Sequence, residues 1–375
     1  MSEKHLPLKT LFVLPGLEAG GAERVLIALM NNVNRQKYEP TLLSVAGDGA
    51  LRDTINAEIP FHTLDQKLTP LSILSLLKKI KQIKPDVIVS TMAHMNFAVL
   101  VLKPFFPKTT FIVREAITPS FLFQKHKMRS VLIKFLYKTL YPMAHCVLSP
   151  TGKAFDEFRD DLYMDHRSFT LLKNPIHVEK LRDTIDVSDM EDEQEGVVRF
   201  VACGRLHRQK GFDQLIDALG RFKIPYQWRF DILGEGSERA TLEALIKEKN
   251  LQDKVFLKGL VMPPYSHFAA ADCFLMPSRF EGLPNVVLES LTCGTPAIAT
   301  KESGGIDEIV KDCPPGSVSL VQDMDDFIRE MAKIKPSPKG SLRPSLLAEC
   351  YEQQSVFRCF EDILDRVTES RQRNT

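Results

Sequence analysis

The sequence predicts an α/β chain of two doubly wound domains in series, and three observations predict it. Short runs rich in Val, Ile, Leu and Phe alternate with amphipathic stretches of helical period, as parallel strands covered by helices on both faces would. The alternation breaks at "DTIDVSDMEDEQEG", residues 183–196, an acidic stretch without aromatics that reads as a surface linker, and then restarts. A chain of 375 residues also exceeds what one ordinary core accommodates.

The first domain, expected over 1–178, opens with the strand "TLFVLP", a glycine-bearing turn and a helix over about 22–34. "EPTLLSV" is the next strand, and "PLSILSLLKKIKQIKP" is an amphipathic helix. "DVIVST" and "TTFIVRE" are strands, followed by a long helix over about 119–141, then "AHCVLSP", a further helix and "RSFTLLKNPI". The second domain, expected over 196–345, runs "VVRFVACGRL", a helix over 211–222, "WRFDILGEG", a helix, "VFLKGLV" and "CFLMPS". In "SRFEGLPNVVLESLTCGTPAIAT" a loop precedes a short helix, with Pro284 suited to its first position and Gly294 to its C-cap, and "PAIAT" is a buried strand. After Val310, "KDCPPGSVSLV" leaves the final strand open. A Pro- and Ser-rich stretch at 336–345 leads to a last amphipathic segment over about 350–371.

Composition is that of a globular protein, 44% apolar and 26% charged, and no apolar run is long enough to span a bilayer. The N-terminus is too quickly interrupted for a signal peptide, and the seven Cys form no CxxC pair. A reducing cytoplasm and no structural zinc are therefore expected. Net charge is unevenly spread. Residues 1–178 hold 23 Lys and Arg against 15 Asp and Glu, whereas the remainder holds 26 against 33. A basic first half and an acidic second half suggest different partners for each.

Ligands of open α/β sheets bind beyond the carboxyl ends of the strands, and glycine-bearing loops fall there repeatedly. Gly16, Gly20 and Gly21 follow the first strand, where a tight turn and a ligand approach are equally good readings. In "CGRLHRQKGFDQL", Arg205 and Lys210 flank a helix start and could clamp a diphosphate, or be a solvated basic loop. Gly234 and Gly236, then Gly304 and Gly305, repeat the theme after later strands. Glu281 lies in the loop ahead of its helix and Glu289 within it, facing the same positive helix end.

Taken in order, "GGAERV", "NPI", "GRLHRQKGFDQLI", "ILGEGSER", "KGLV", "SRFEGLPNVVLESLTCGTPAIAT" and "GGIDEI" resemble the retaining glycosyltransferases of family 4 over about residues 10–310. That family has the GT-B fold, two Rossmann-like domains facing each other across a cleft. "STMAHMN" followed by "IVREA" resembles a branch that adds sugars, often N-acetylhexosamines, in lipopolysaccharide core or capsule assembly. The resemblance implies that Arg205 and Lys210 bind the donor diphosphate and stabilise the leaving group, and that Glu289 accepts from ribose hydroxyls. Glu281 would face the donor sugar with the loop of Gly282, Leu283, Pro284 and Asn285, in which Pro284 has no N–H to give. Gly20 and Gly21 would lie near the β-phosphate, Gly204 and Gly234 beside the donor, and Leu260 and Val261 against the base. His94 matches the "ST-x-x-H-x-N" form of a sugar-facing histidine, with a buried or capping His as the alternative. Arg114 and Glu115 are candidate acceptor contacts or a structural ion pair.

The implied reaction moves a hexose or N-acetylhexosamine, UDP-N-acetylglucosamine foremost, to a glycan or lipid-linked saccharide. It needs no cofactor, and no Asp-x-Asp pair stands at either candidate edge, in keeping with metal independence. Breaking a sugar–diphosphate bond demands charge stabilisation more than a proton for the leaving oxygen. Basic and apolar residues interleave at 121–138 and basic ones cluster at 78–84, which suggests peripheral contact with the anionic inner face of the cytoplasmic membrane. Nucleic acid is a poorer partner, since no stacking platform accompanies the charge. A nucleotide-sugar 2-epimerase or a non-catalytic nucleotide-sugar binder are alternatives on this fold, and neither domain carries a full dinucleotide fingerprint.

Overall fold

The computed structural model describes residues 6–18, 20–67, 70–119, 127–162, 169–186, 196–337 and 341–372. Phe121, Phe123 and Lys125 of the basic segment lie outside them, as does most of the acidic linker, 187–195. The chain divides into one compact unit of Met1–Pro175 with Gln354–Thr375, and a second of Ile176–Gln353.

Unit 1 is built on seven parallel strands: β1 (Leu8–Leu14), β2 (Tyr38–Ser44), β3 (Phe61–Thr63), β4 (Val87–Thr91), β5 (Thr110–Arg114), β6 (Cys146–Ser149) and β7 (Phe169–Leu171). Their order is β3-β2-β1-β4-β5-β6-β7. Among the described residues five α-helices are interleaved: α1 (Gly21–Asn31), α2 (Pro70–Ile83), α3 (Ala93–Leu100), α4 (Lys127–Leu140) and α5 (Gly152–Asp160). Parallel strands covered on both faces read as continuous apolar runs, and here alternate residues split cleanly between two cores. Leu11, Val13, Ile88, Phe111, Val113 and Val147 face α2, α3 and α4. Phe12, Leu14, Val89, Ile112 and Leu148 face α1 and the C-terminal helix.

Unit 2 holds six parallel strands: β8 (Val198–Cys203), β9 (Trp228–Leu233), β10 (Val255–Gly259), β11 (Cys273–Met276), β12 (Ala297–Thr300) and β13 (Val318–Val321). Their order is β10-β9-β8-β11-β12-β13. The helices are α6 (Val178–Asp183), α7 (Phe212–Arg221), α8 (Arg239–Glu248), α9 (Tyr265–Ala270), α10 (Asn285–Thr292), α11 (Ile306–Asp312) and α12 (Met324–Met331). The strand left open by the sequence forms as β13, which pairs with β12 from Ala297↔Val318 to Thr300↔Val321. Arg182 of α6 donates to the Thr292 and Arg343 carbonyls at 2.7 and 2.9 Å, so this short helix belongs to unit 2.

The last helix, α13 (Gln353–Gln372), returns to unit 1. Val356, Phe360, Ile363 and Leu364 complete the core beside α1. Polar contacts fix its register: Asp365 accepts from Lys37 Nζ and Tyr38 Oη, both at 2.6 Å, and Glu361 accepts the Asn34 N–H at 2.7 Å.

Candidate functional site

In unit 2 the chain winds outward from β8 in one direction and from β11 in the other, so these neighbours mark the switch point where open sheets bind ligands. The loop after β8 carries Arg205 and Lys210, and the loop after β11 carries Glu281. The structure brings two of these together. Lys210 Nζ lies 2.7 Å from Glu281 Oε1, with the side chains only 17% and 12% exposed. Ser278 Oγ donates to the same oxygen at 2.9 Å, and the Ser278 carbonyl is held in turn by Thr300 Oγ1 and Ser303 Oγ at 2.6 and 3.0 Å.

A polar staple holds the two loops in this pose, and sequence reasoning missed it. The Arg279 guanidinium grips both carboxylate oxygens of Asp213 at 2.6 and 2.7 Å and donates to the Arg208 carbonyl at 2.7 Å. Its backbone N–H donates to the Gln209 carbonyl at 2.8 Å. Gln209 and Gln214 return donors to the carbonyls of Phe280 and Pro277 at 3.1 and 2.7 Å. Burial works against the Asp213 carboxylate, but Arg279 outweighs it and holds its pKa below the ordinary value. Two glycines permit the close approach. Gly211, at φ +68°, would put a Cβ 1.9 Å from the Pro277 carbonyl oxygen, and Gly304, at φ +65°, would put one 1.9 Å from that of Glu281.

The backbone amides divide into spent and unspent ones. Gly204 and Gly234, expected beside the donor, give their N–H groups to the carbonyls of Leu233 and Gly259 at 2.9 and 2.7 Å. Their bareness also serves packing, since a Cβ on Gly234 would meet the Gly204 carbonyl oxygen at 2.0 Å. Gly304 and Gly305 donate likewise to Glu302 and Gly282. By contrast, the N–H groups of Gly282 and Leu283 have no acceptor among the described residues. Pro284 is the N-cap of α10 rather than its first residue, because its ψ of 95° is extended and the helix begins at Asn285. Gly294 takes φ +78° just past the C-cap Cys293, as its position in the sequence predicts. Glu289 sits one turn beyond Asn285 and is half-buried. Arg205 is exposed and its guanidinium has no partner among the described residues. Leu260 is exposed and Val261 half-buried, where the edge strand β10 ends.

In unit 1, Gly20 caps α1 and Gly21 is its first residue, with the Gly20 N–H given to the Glu18 carbonyl at 2.7 Å. The buried Glu23 carboxylate lies over this helix start, 2.2 Å from where a Cβ of Gly20 would be. His94 stands exposed on the first turn of α3, directly after the switch-point strand β4. Met92, which caps that helix, is held at φ +73°, a strained value for a side chain with a Cβ.

Arg114 and Glu115, candidate acceptor contacts or a structural ion pair from the sequence, lie in the interior, 1% and 2% exposed. Arg114 donates to Thr91 Oγ1 at 3.4 Å and Asn174 Oδ1 at 2.5 Å. Glu115 accepts from the hydroxyls of Tyr137, at 3.1 Å, and Tyr141. Asn96 ties the group to α3, accepting from Ser90 Oγ and donating to Tyr141 Oη and the Arg114 carbonyl. Burial pushes the Glu115 carboxyl up to about 7 and draws the Arg114 guanidinium down to about 10. Among the described residues no cluster of three or more His, Cys, Asp or Glu side chains is placed to hold a metal ion.

Two parallel Rossmann-like sheets, each with its switch point lined by loops, define the GT-B class of α/β protein. The crystal structure of Anabaena HepE in complex with UDP and glucose matches 96% of this chain and 100% of its own with a TM-score of 0.75, at 18% identity. A sucrose-phosphate synthase from Thermosynechococcus elongatus matches 97% and 100% with a TM-score of 0.77, at 17% identity. In sequence, the N-acetylgalactosamine-N,N'-diacetylbacillosaminyl-diphospho-undecaprenol 4-alpha-N-acetylgalactosaminyltransferase of Campylobacter jejuni is 31% identical over 79% of this chain and 81% of its own length. The family model for Glycosyltransferase Family 4 matches residues 19–180, and that for Glycosyl transferases group 1 matches residues 185–346. The chain belongs to glycosyltransferase family 4 and is a glycosyltransferase.

Proposed function

We propose that this enzyme transfers an N-acetylhexosamine from a UDP-sugar to a lipid-linked saccharide with retention of anomeric configuration. The observation that carries the reading is the Lys210–Glu281 contact at the switch point of unit 2, beside the unspent amides of Gly282 and Leu283. One of the three donors of the Lys210 ammonium is used by Glu281, which leaves donors for a diphosphate. Arg205 and the amides ahead of α10 add positive potential for the charge that develops as the sugar–phosphate bond breaks. Glu281, fixed by Lys210 and Ser278, then orients sugar hydroxyls, and Glu289 accepts from the ribose. Unit 1 is the acceptor-binding half, with the exposed His94 at its own switch point. The acceptor hydroxyl attacks the face from which the diphosphate departs. The Campylobacter relative is named for N-acetylgalactosamine transfer onto a diphospho-undecaprenol saccharide, which favours this substrate class.

The test is a thermal-shift panel of UDP-sugars followed by transfer assays with and without chelator. A UDP-N-acetylhexosamine is expected to raise Tm most, with UDP-N-acetylglucosamine and UDP-N-acetylgalactosamine as separate arms and turnover indifferent to chelation. Lys210→Ala and Glu281→Ala should each lose roughly 10²–10³ in turnover, the usual cost of one preorganised group. Near-normal transfer by either variant removes that residue from the site. Epimer formation from donor alone would replace transfer as the activity.

A further inference from the structure

The helical layer on one face of the unit 1 sheet differs in charge from the rest of the molecule. The segments 70–83, 93–100, 103–105 and 127–143, which comprise α2, α3, α4 and the turns attached to them, contain eight Lys or Arg and no Asp or Glu. Acidic side chains stand on α5 at the edge beside β6 and β7, in the loops that flank α2, and on α13 of the opposite face, where Glu361, Asp362, Asp365 and Glu369 mix with Arg358, Arg366 and Arg371.

The same layer leaves large apolar side chains uncovered. Leu74 on α2, Val101 and Phe105 after α3, and Val131, Leu132 and Phe135 on α4 are 44–68% exposed. Their helices already have a buried face: Leu76, Ile80, Val99, Leu100 and Tyr137 pack into the core against the sheet. The exposed set is therefore a second, outward apolar face. Lysines stand among it, with Lys138 one turn beyond Phe135 and the Lys81 ammonium 5.8 Å from the Phe105 ring. Apolar residues for the acyl boundary and cations for headgroups, with no carboxylate on α2, α3 or α4 themselves, are the chemistry of a monotopic interface. No described helix is long and apolar enough to cross a membrane, so contact would be from one side.

We infer that the outer surface of α2, α3 and α4 docks on an anionic lipid bilayer, with Leu132 and Phe135 entering the headgroup region. This rests on the proposed lipid-linked acceptor only for its purpose, and its test uses no sugar. The full chain is sedimented with vesicles of phosphatidylcholine alone and with 30 mole per cent phosphatidylglycerol, a composition of about physiological charge. Binding is expected on the anionic vesicles only, weakening as salt rises from 0.05 to roughly 0.5 M. Leu132→Glu with Phe135→Glu should lower the partition coefficient at least tenfold. Lys78→Ala and Lys138→Ala, both at exposed positions, should cost about fivefold each. Unchanged circular dichroism melts would show that these variants fold. Absence of binding to anionic vesicles overturns the inference, as does equal binding by the double glutamate variant. So does conversion of a dimer to a monomer by that variant at unaltered vesicle binding, because the occupant would then be a second copy.

Discussion

At the scale of single residues, the two buried charged groups of unit 1 show how burial sets protonation. Glu115 has two tyrosine hydroxyls as donors, yet burial dominates and raises its carboxyl to about 7. The folded state therefore holds a proton there that the unfolded chain releases near pH 4.5. The sign follows: stability from this group is complete below about 4.5 and is lost as pH rises through about 7. Glu115→Gln, a neutral near-isostere, should be the more stable protein at pH 8, by of order 3 kcal/mol at most. Its advantage should vanish towards pH 4.5, as read by thermal unfolding at several pH values. A constant difference between the two proteins across that range would mean the carboxyl is not titrating in the fold. Because Asn96 joins this group to the first turn of α3, the same measurement reports on the support beneath His94.

At the scale of elements, the loops after β8 and β11 act as one body because Arg279 and Asp213 clasp them together. Arg279→Lys keeps the charge but cannot grip both carboxylate oxygens. It should lower turnover roughly tenfold, the worth of a charge-assisted pair. Combining it with Asp213→Asn should cost little more, since contacting partners are not additive. Fully additive losses would show that the clasp does not position Lys210. This clasp was invisible in the sequence because its members lie 66 residues apart and no local pattern links them. Glu281 and Lys210 were legible because each stands in a compact motif after an apolar strand. The strands buried on both faces were equally legible, since β1, β4 and β5 hold the unbroken apolar runs 11–14, 87–89 and 111–113. Helix α3 was not, because Met95, Asn96, Ala98, Val99 and Leu100 are all buried and leave no polar stripe to reveal a period. The edge strand β3 is only three residues long, too short to show alternation. The glycine loops read either as ligand cradles or as tight turns, and no local pattern showed that the Gly204 and Gly234 amides bond the neighbouring strand ends.

At the scale of the whole molecule, unit 1 is discontinuous in sequence and unit 2 is inserted within it. The outgoing and returning segments are bonded to each other, with Ile176 N–H donating to the Tyr351 carbonyl at 2.8 Å and Gln353 N–H to that of Ile176 at 2.9 Å. Leu364→Ala on α13, at a fully buried position, should cost 2–5 kcal/mol. Hydrogen exchange should accelerate in β1, β2 and α1 while the strands of unit 2 stay protected. Equal loss of protection in both units would mean that they unfold as one. The insertion also dictates an order of assembly. As the polypeptide leaves the ribosome, Phe12, Leu14 and Ile112 emerge before unit 2, but the helix that covers them follows it. The inserted half can settle into its native form before the older half is finished. Until α13 is made, the nascent chain carries an uncovered greasy furrow, where chaperones would be needed most.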